Sequence, residues 1–299
     1  GVAERMGIGE EAIRAAASAI IYVSFSGFGD RGVYAGKPVY DPLVQAMSGL
    51  TTIQAGSDEA RPRLVRTILP DKLSGIVAAQ AITAALLSRE RSGEGQHVRL
   101  SMLDTLVSFL WGSDMASQTF IDSEIPQQEA ASFIDLIYET ANGHISVAVQ
   151  TDREWHALTR ALDRPEWLED ERFKTPALRQ KFIDDRLAMT QEVLATGTSA
   201  AWLARLEEAD VPCSPVLTRS EVIQHPQVIA NEVLWESQHH LAGKLRQARP
   251  AARFSATPTS LDRGAPGLGE HTEEALSEIG YDEDTIVKML AAGVIGTSR

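Results

Sequence analysis

Two strand signals bracket one long helix signal early in the chain, and that order narrows the fold more than any other feature. Ile20-Ile21-Tyr22-Val23-Ser24-Phe25 is dense in β-branched and aromatic residues and reads as a buried strand. Gln96 to Leu100 reads as a second. Between them a helix signal begins at Pro70-Asp71, runs through Gly75, Ala78, Ala79, Ile82, Leu86 and Leu87, and stops at Ser92-Gly93-Glu94-Gly95. Strand, helix and strand in this order predict an α/β domain. Shorter helices are expected over Glu10–Ala19 and Pro42–Ser48, and a longer one over Asp104–Gln118.

The pattern then changes. Residues 119–132 form a polar connector around Pro126-Gln127-Gln128, and Gln224-His225-Pro226 marks a second break. The expected division is therefore 1–125, 126–225 and 226–299. Within the middle segment His144–Val149 alternates like a strand, and helices are expected at Glu154–Leu162, Asp184–Leu194 and Ala200–Ala209. Pro212 and Pro215 bracket a short extended piece, and Thr272–Ile279 and Asp284–Ala292 read as amphipathic helices.

Charge and composition limit what such a chain can do. The 299 residues carry 28 Lys+Arg against 41 Asp+Glu, a net charge of −13, which argues against a nucleic-acid partner because a phosphate backbone needs a basic face. The single cysteine, Cys213, excludes an internal disulfide framework and any multi-cysteine metal site. No apolar run approaches the roughly 18–20 residues that span a bilayer. A cytoplasmic enzyme is the default class. The chain begins at Gly1, without Met, which suggests that an upstream piece has been removed.

Several motifs invite chemistry, and most decline it. Gly27-Phe28-Gly29-Asp30-Arg31-Gly32 is a literal G-x-G-x-x-G after a strand, but Gly36 and Pro38 interrupt the helix that a dinucleotide site requires. A turn-rich loop is the expected reading. His239 and His240 are adjacent and lack an acidic or histidine partner at helical spacing, so no metal site is expected. There is no G-x-S-x-G elbow for a serine hydrolase. Cys213 has no flanking base and reads as a structural thiol. Asp71 stands between a basic stretch (Arg61, Arg63, Arg66) and helix turns nearly bare of side chains. It is either a plain helix N-cap or a carboxylate nucleophile served by backbone N–H donors.

Taken in order, these segments carry a family pattern. Ser24-Phe25-Ser26-Gly27-Phe28-Gly29, Lys37-Pro38-Val39-Tyr40-Asp41 and Gln45-Ala46-Met47-Ser48-Gly49 resemble the class III coenzyme A transferases of the CaiB/BaiF type. Those include formyl-CoA and carnitine CoA transferases and the related α-methylacyl-CoA racemases. Asp71-Lys72-Leu73-Ser74-Gly75 resembles the family's D-x-x-x-G element. Arg89 to Gln96, Ser101 to Asp104, Val211 to Val216 and Gly269 to Glu274 resemble its later motifs in register.

The resemblance implies a large Rossmann-like domain over 1–125, with its leading part absent here, a smaller α+β domain over 126–225, and a C-terminal segment, 226–299, that returns to the large domain, assembled as an interlocked homodimer. It implies CoA transfer between an acyl-CoA thioester and a small carboxylic acid, with coenzyme A as substrate and no permanently bound cofactor. Asp71 takes the nucleophile's place, and Arg5, Lys37 and Tyr40 match positions near CoA. Arg61, Arg63 and Arg66 are either a solvated basic face, the reading their type favours, or, from spacing alone, further basic residues for a polyanionic ligand. Two departures weigh against the racemase alternative. The racemases' histidine base matches Tyr40, whose ordinary pKa of about 10 makes it a poor base near neutrality, and their partner glutamate falls near Thr151. A third departure is the absence of glycine from Glu129–Asn142, where formyl-CoA transferases carry a glycine-rich loop, so the oxalate/formate pair is not expected. A non-catalytic fragment of such an enzyme is the remaining alternative.

Overall fold

A computed structural model describes residues 1–121, 134–260 and 264–297, and the chain divides into two compact units, Gly1–Ile137 and Tyr138–Arg299. The connector expected around Pro126-Gln127-Gln128, with the 125/126 boundary, lies outside the described residues, as does the first part of the Glu129–Asn142 stretch.

In the first unit α1 (Glu10–Ala16) leads into β1 (Ile21–Ser26). After a loop come α2 (Asp41–Met47), α3 (Leu69–Ser92), β2 (Gln96–Ser101) and α4 (Met102–Trp111). β1 and β2 pair in parallel from Ile21 opposite Gln96 to Ser26 opposite Ser101. Parallel neighbours need a crossover, and α3 supplies it, packing on both strands and on α4. Gly93 ends α3 in a left-handed conformation at φ 75°, a geometry that glycine adopts without strain. Ser101 caps α4 by accepting from the Asp104 N–H at 3.0 Å. The core of this unit is Val44, Leu50, Met102, Leu106 and Leu110. The G-x-G-x-x-G segment is a loop with Gly29 and Gly32 at positive φ, and the next helix of more than one turn begins only at Asp41, as the sequence predicts.

The second unit holds a three-stranded sheet in the order β3 (Ile137–Thr140), β4 (Gly143–Val147), β5 (Cys213–Pro215), with β4 and β5 antiparallel. Helices α5 (Asp152–Ala161), α6 (Ile183–Leu194) and α7 (Ser199–Glu208) surround a core centred on Ile145, Trp155, Phe173, Leu194 and Leu206. Arg179, only 3 % exposed, lies over Trp155, donates to the Phe173 carbonyl at 2.9 Å and pairs with Asp152. An antiparallel hairpin follows, β6 (Leu234–His239) and β7 (Gly243–Ala248), which the sequence analysis does not anticipate. Helices α8 (Thr272–Glu278) and α9 (Glu283–Ala291) close the chain, so 226–299 groups here with the second unit.

Candidate active site

α3 begins one residue before its proline, with Leu69 and Pro70 as its first two residues and Asp71 as its third. Asp71 is therefore not the N-cap. Ile68 holds that position and has no side chain able to cap. The cap comes from another helix: the Oδ2 of Asp41, at the start of α2, accepts the Asp71 backbone N–H at 3.3 Å. That leaves the Asp71 carboxylate exposed and, among the described residues, free of any hydrogen bond or ion pair. A carboxylate in a helix's first turn sits at the positive end of its dipole.

The groups behind Asp71 form a buried polar knot. Asp41 is 5 % and Gln45 2 % exposed. Gln45 Nε2 donates to Asp41 Oδ1 at 2.6 Å, to the Thr67 carbonyl at 3.1 Å and to the Val65 carbonyl at 3.4 Å, while its Oε1 accepts from the Val65 N–H at 3.0 Å. Lys72 Nζ donates to Thr67 Oγ1 at 2.9 Å. The turns after Asp71 are open as the sequence predicts: a Cβ at Gly75 would meet nothing within 4 Å. Ser74 is fully buried, and its Oγ has no hydrogen-bond partner in the structure.

The other candidates separate into groups. Tyr40 directly precedes Asp41, and its ring is 78 % exposed. Arg5 ends a helical turn over Val2–Arg5, and Lys37 lies in the loop before α2 with its Nζ 3.9 Å from the Tyr34 ring centroid. A cavity of about 840 Å³ is lined by Glu4, Ser24, Gly36, His97 and Arg99 among others, so Arg5 and Lys37 each directly follow a lining residue. Asp71 does not line it. Arg61, Arg63 and Arg66 are exposed, and among the described residues none pairs with a carboxylate. Thr151 belongs to the second unit, where it caps α5 in a reciprocal box with Glu154.

The remaining reactive-looking groups are accounted for structurally. His239 Nδ1 accepts two backbone N–H groups, from Leu241 and Ala242, and its Nε2 lies 2.6 Å from the Ala265 carbonyl. Burial pushes the Cys213 thiol up from its ordinary pKa, with the Glu207 charge adding to the effect, which suits a structural thiol. Among the described residues no group of three or more His, Cys, Asp or Glu could hold a metal ion, and no helix is long and apolar enough to cross a membrane.

With that geometry in place, residues 1–272 match the model of CoA-transferase family III. The chain belongs to CoA-transferase family III. It is 29 % identical to a mouse succinyl-CoA:glutarate CoA-transferase over 300 residues, covering 99 % of this chain and 68 % of the mouse protein. It is 28 % identical to a Shigella sonnei formyl-CoA:oxalate CoA-transferase, covering 97 % of this chain and 75 % of that protein. Among solved structures, Rv3272 of Mycobacterium tuberculosis superposes with a TM-score of 0.78 at 26 % identity, covering 91 % of this chain and 73 % of that one. A CaiB/BaiF family protein from Brucella suis gives 0.77 at 26 %, covering 93 % and 73 %. The mixed helix-and-strand fold of this chain is the fold of these proteins, and the chain is that of a transferase.

Proposed function

We propose that the protein moves CoA between an acyl-CoA thioester and a carboxylic acid, with Asp71 as nucleophile. The Asp71 carboxylate attacks the thioester carbonyl; a C–O bond forms, the C–S bond breaks, and CoA thiolate leaves a mixed anhydride behind. The thiolate then attacks the aspartyl carbonyl, the anhydride C–O bond breaks, and the first acid departs, leaving an aspartyl-CoA thioester. The acceptor carboxylate attacks that thioester, and the same steps in reverse deliver the new acyl-CoA. Exchange between similar carboxylic acids is nearly isoenergetic, so an enzyme carboxylate can stand in for either acid.

The observation that carries this reading is the free, exposed Asp71 carboxylate on a helix turn whose backbone is anchored by another residue's carboxylate. A structural cap would hold a bond; among the described residues this one holds none. On this reading Arg5 and Lys37 supply positive charge toward the CoA phosphates, and Tyr40, next to the Asp41 that accepts the Asp71 N–H, contacts CoA. Tyr40 and Thr151 stand where the racemases carry their histidine and glutamate bases, which favours transfer over racemisation. The mouse relative is named for glutarate and the Shigella relative for oxalate, both dicarboxylic acids, so a screen of acceptors starts with that class. Large apolar side chains on the surface of the first unit, Ile76 at 68 % and Phe109 at 57 %, support an interlocked homodimer. The three-part division at 125/126 and 225/226 and a cytoplasmic location belong to the same reading.

Hydroxylamine or borohydride trapping during turnover, followed by peptide mapping, tests it. The adduct is expected on Asp71, and Asp71→Ala is expected to abolish transfer. Full activity in Asp71→Ala refutes the mechanism, and rapid α-deuterium exchange of a 2-methylacyl-CoA without CoA transfer refutes the reaction class.

A further inference from the structure

Gln45 takes no part in the chemistry above, yet it makes more side-chain hydrogen bonds around the site than any residue described there. It is an amide on α2, a helix whose Val44 is fully buried in the apolar core. Burying such a group without partners is costly, so its contacts specify one arrangement. Those contacts run in two directions. Toward α3, it holds the Val65 N–H, the Val65 carbonyl and the Thr67 carbonyl, the last residues before the helix. Toward its own helix start, it holds Asp41 Oδ1, whose sister oxygen takes the Asp71 N–H.

We propose that Gln45 is a positioning residue: its carboxamide ties the Val65–Thr67 backbone to the Asp41 carboxylate and so fixes the helix turn that presents Asp71. This rests on the reading of Asp71 as nucleophile. The segment needs such a clamp because residues 61–67 belong to no helix or strand. Besides the Gln45 bonds, the Arg63 N–H bonds the Thr51 carbonyl at 2.9 Å, and Thr67 bonds only into α3 itself, its carbonyl accepting the Leu69 N–H and its Oγ1 the Lys72 Nζ, each at 2.9 Å. Without Gln45 the Arg63 bond is the one described backbone hydrogen bond that ties residues 61–67 to α2 or the helical turn after it. Reaction at a carboxylate is sensitive to placement, and a shift of about 1 Å can cost on the order of 100-fold in rate.

Gln45→Glu keeps the volume and the acceptor for the Val65 N–H, replaces the Nε2 donors with an oxygen, and so turns the bond to Asp41 into a contact between two carboxyl groups. In the full chain, single-turnover acylation of Asp71 is expected to fall about tenfold or more, with acyl-CoA Kd changed by less than about twofold. Hydrogen exchange should rise in peptides covering 63–73 and stay unchanged over α4. The exchanged pair Asp41→Asn/Gln45→Glu restores an amide-to-carboxylate bond and should recover part of the lost rate. Unchanged acylation in Gln45→Glu overturns the proposal. So does a variant whose exchange rises across the whole first unit with rate and Kd lost together, because a core residue alone would do that. A wild-type chain with no adduct on Asp71 refutes the functional reading instead, and the two failures are separately visible.

Discussion

Gly27 is where the fold of the first unit and the placement of its site meet, and Gly27→Ala tests that link. The glycine follows β1, and a Cβ built on it would lie 2.2 Å from Val39 Cγ1, 2.6 Å from Cγ2 and 2.7 Å from Cβ. Ordinary contact begins near 3.4 Å, so Val39 has to retreat by about 1.2 Å. Rotating Val39 about χ1 does not clear the clash, because its Cβ is itself too close. Gly27 cannot retreat freely either: its carbonyl accepts the Leu103 N–H at 3.0 Å, on the first turn of α4. Val39 packs on the cluster of Val44, Leu50 and Leu106, so the strain enters the core. Overpacking of this kind costs about 1–3 kcal/mol, and the backbone anchor puts this case at the upper end. Urea unfolding of the purified chain, with exchange of peptides spanning 21–47 as a local readout, measures it. Val39→Ala removes two of the three clashing atoms, so the double variant should be less destabilised than the two singles added, by about 1 kcal/mol or more. Val39 also directly precedes Tyr40 and Asp41, so transfer should weaken alongside stability. A Gly27→Ala protein within about 0.5 kcal/mol of wild type, or strict additivity with Val39→Ala, refutes the reasoning.

Three further outcomes follow from the same geometry. Gly75→Ala meets open space within the helix and should stabilise the chain by roughly 0.5–1 kcal/mol; transfer should nevertheless fall if substrate or another backbone approaches this turn, and unchanged steady-state kinetics would sink that approach. Hydrogen bonds from Lys244 and Arg246 hold the Glu236 carboxyl down from 4.5 to about 2, so its contribution to the β6–β7 hairpin is present above pH 4.5 and lost as pH falls through about 2. Hairpin exchange protection should fade over that window in wild type and not in Glu236→Gln, and equal fading in both refutes the assignment. Alkylation of Cys213 by iodoacetamide at pH 7.5 should be slower than that of free cysteine and speed up in denaturant, whereas a fast native rate would reopen a nucleophilic role.

What could be read from the sequence was local, and what was missed acts at a distance. β1, β2 and the long helix between them announce themselves through dense β-branched runs and a glycine stop, and the structure places them within a residue or two. Helices α5 and α7 begin earlier than their apolar periodicity suggests, because Thr151 and Thr198 cap them ahead of the first apolar residue. The Thr151-x-x-Glu154 box was readable and is the signal to use there. The β6–β7 hairpin turns at His240-Leu241-Ala242 without an Asn-Gly or Asp-Gly pair, and its strands carry Glu236, Lys244 and Arg246 on an exposed face, so neither turn nor hydropathy marks it. Asp71 looked like an N-cap because an acid beside a proline usually is one. The carboxylate that caps this helix is Asp41, 30 residues away, and no spacing rule reaches that far. Gln45 left a faint trace, an amide inside the apolar run of a short helix, which is the pattern of a buried polar group with fixed partners.

The division of labour in the first turns of α3 also says where the rest of the chemistry has to come from. A helix start normally offers free N–H groups, and these were the expected donors for the developing oxyanion. Here they are spent: the Leu69 N–H bonds the Thr67 carbonyl at 2.9 Å, Pro70 has none, the Asp71 N–H goes to Asp41, and the Lys72 N–H bonds the Ile68 carbonyl at 3.1 Å. Donors from Leu73 onward lie inside the helix ladder. On the proposal that Asp71 is the nucleophile, the turn serves to hold it still, and the oxyanion donors are expected from outside the turn, over the open face at Gly75. This predicts a split between stability and chemistry. The Asp71 side chain bonds nothing among the described residues, so Asp71→Asn should forfeit at most the dipole contribution, about 0.3–1 kcal/mol, while losing transfer. The buried Asp41 carboxylate accepts from both Gln45 and the Asp71 backbone, so Asp41→Ala uncaps the Asp71 N–H and removes one of the Gln45 Nε2 bonds; it should cost about 1–3 kcal/mol and lose stability and transfer together. If Asp71→Asn proves the more destabilising of the two, the carboxylate is structural after all, and the assignment of roles along this helix has to be reversed.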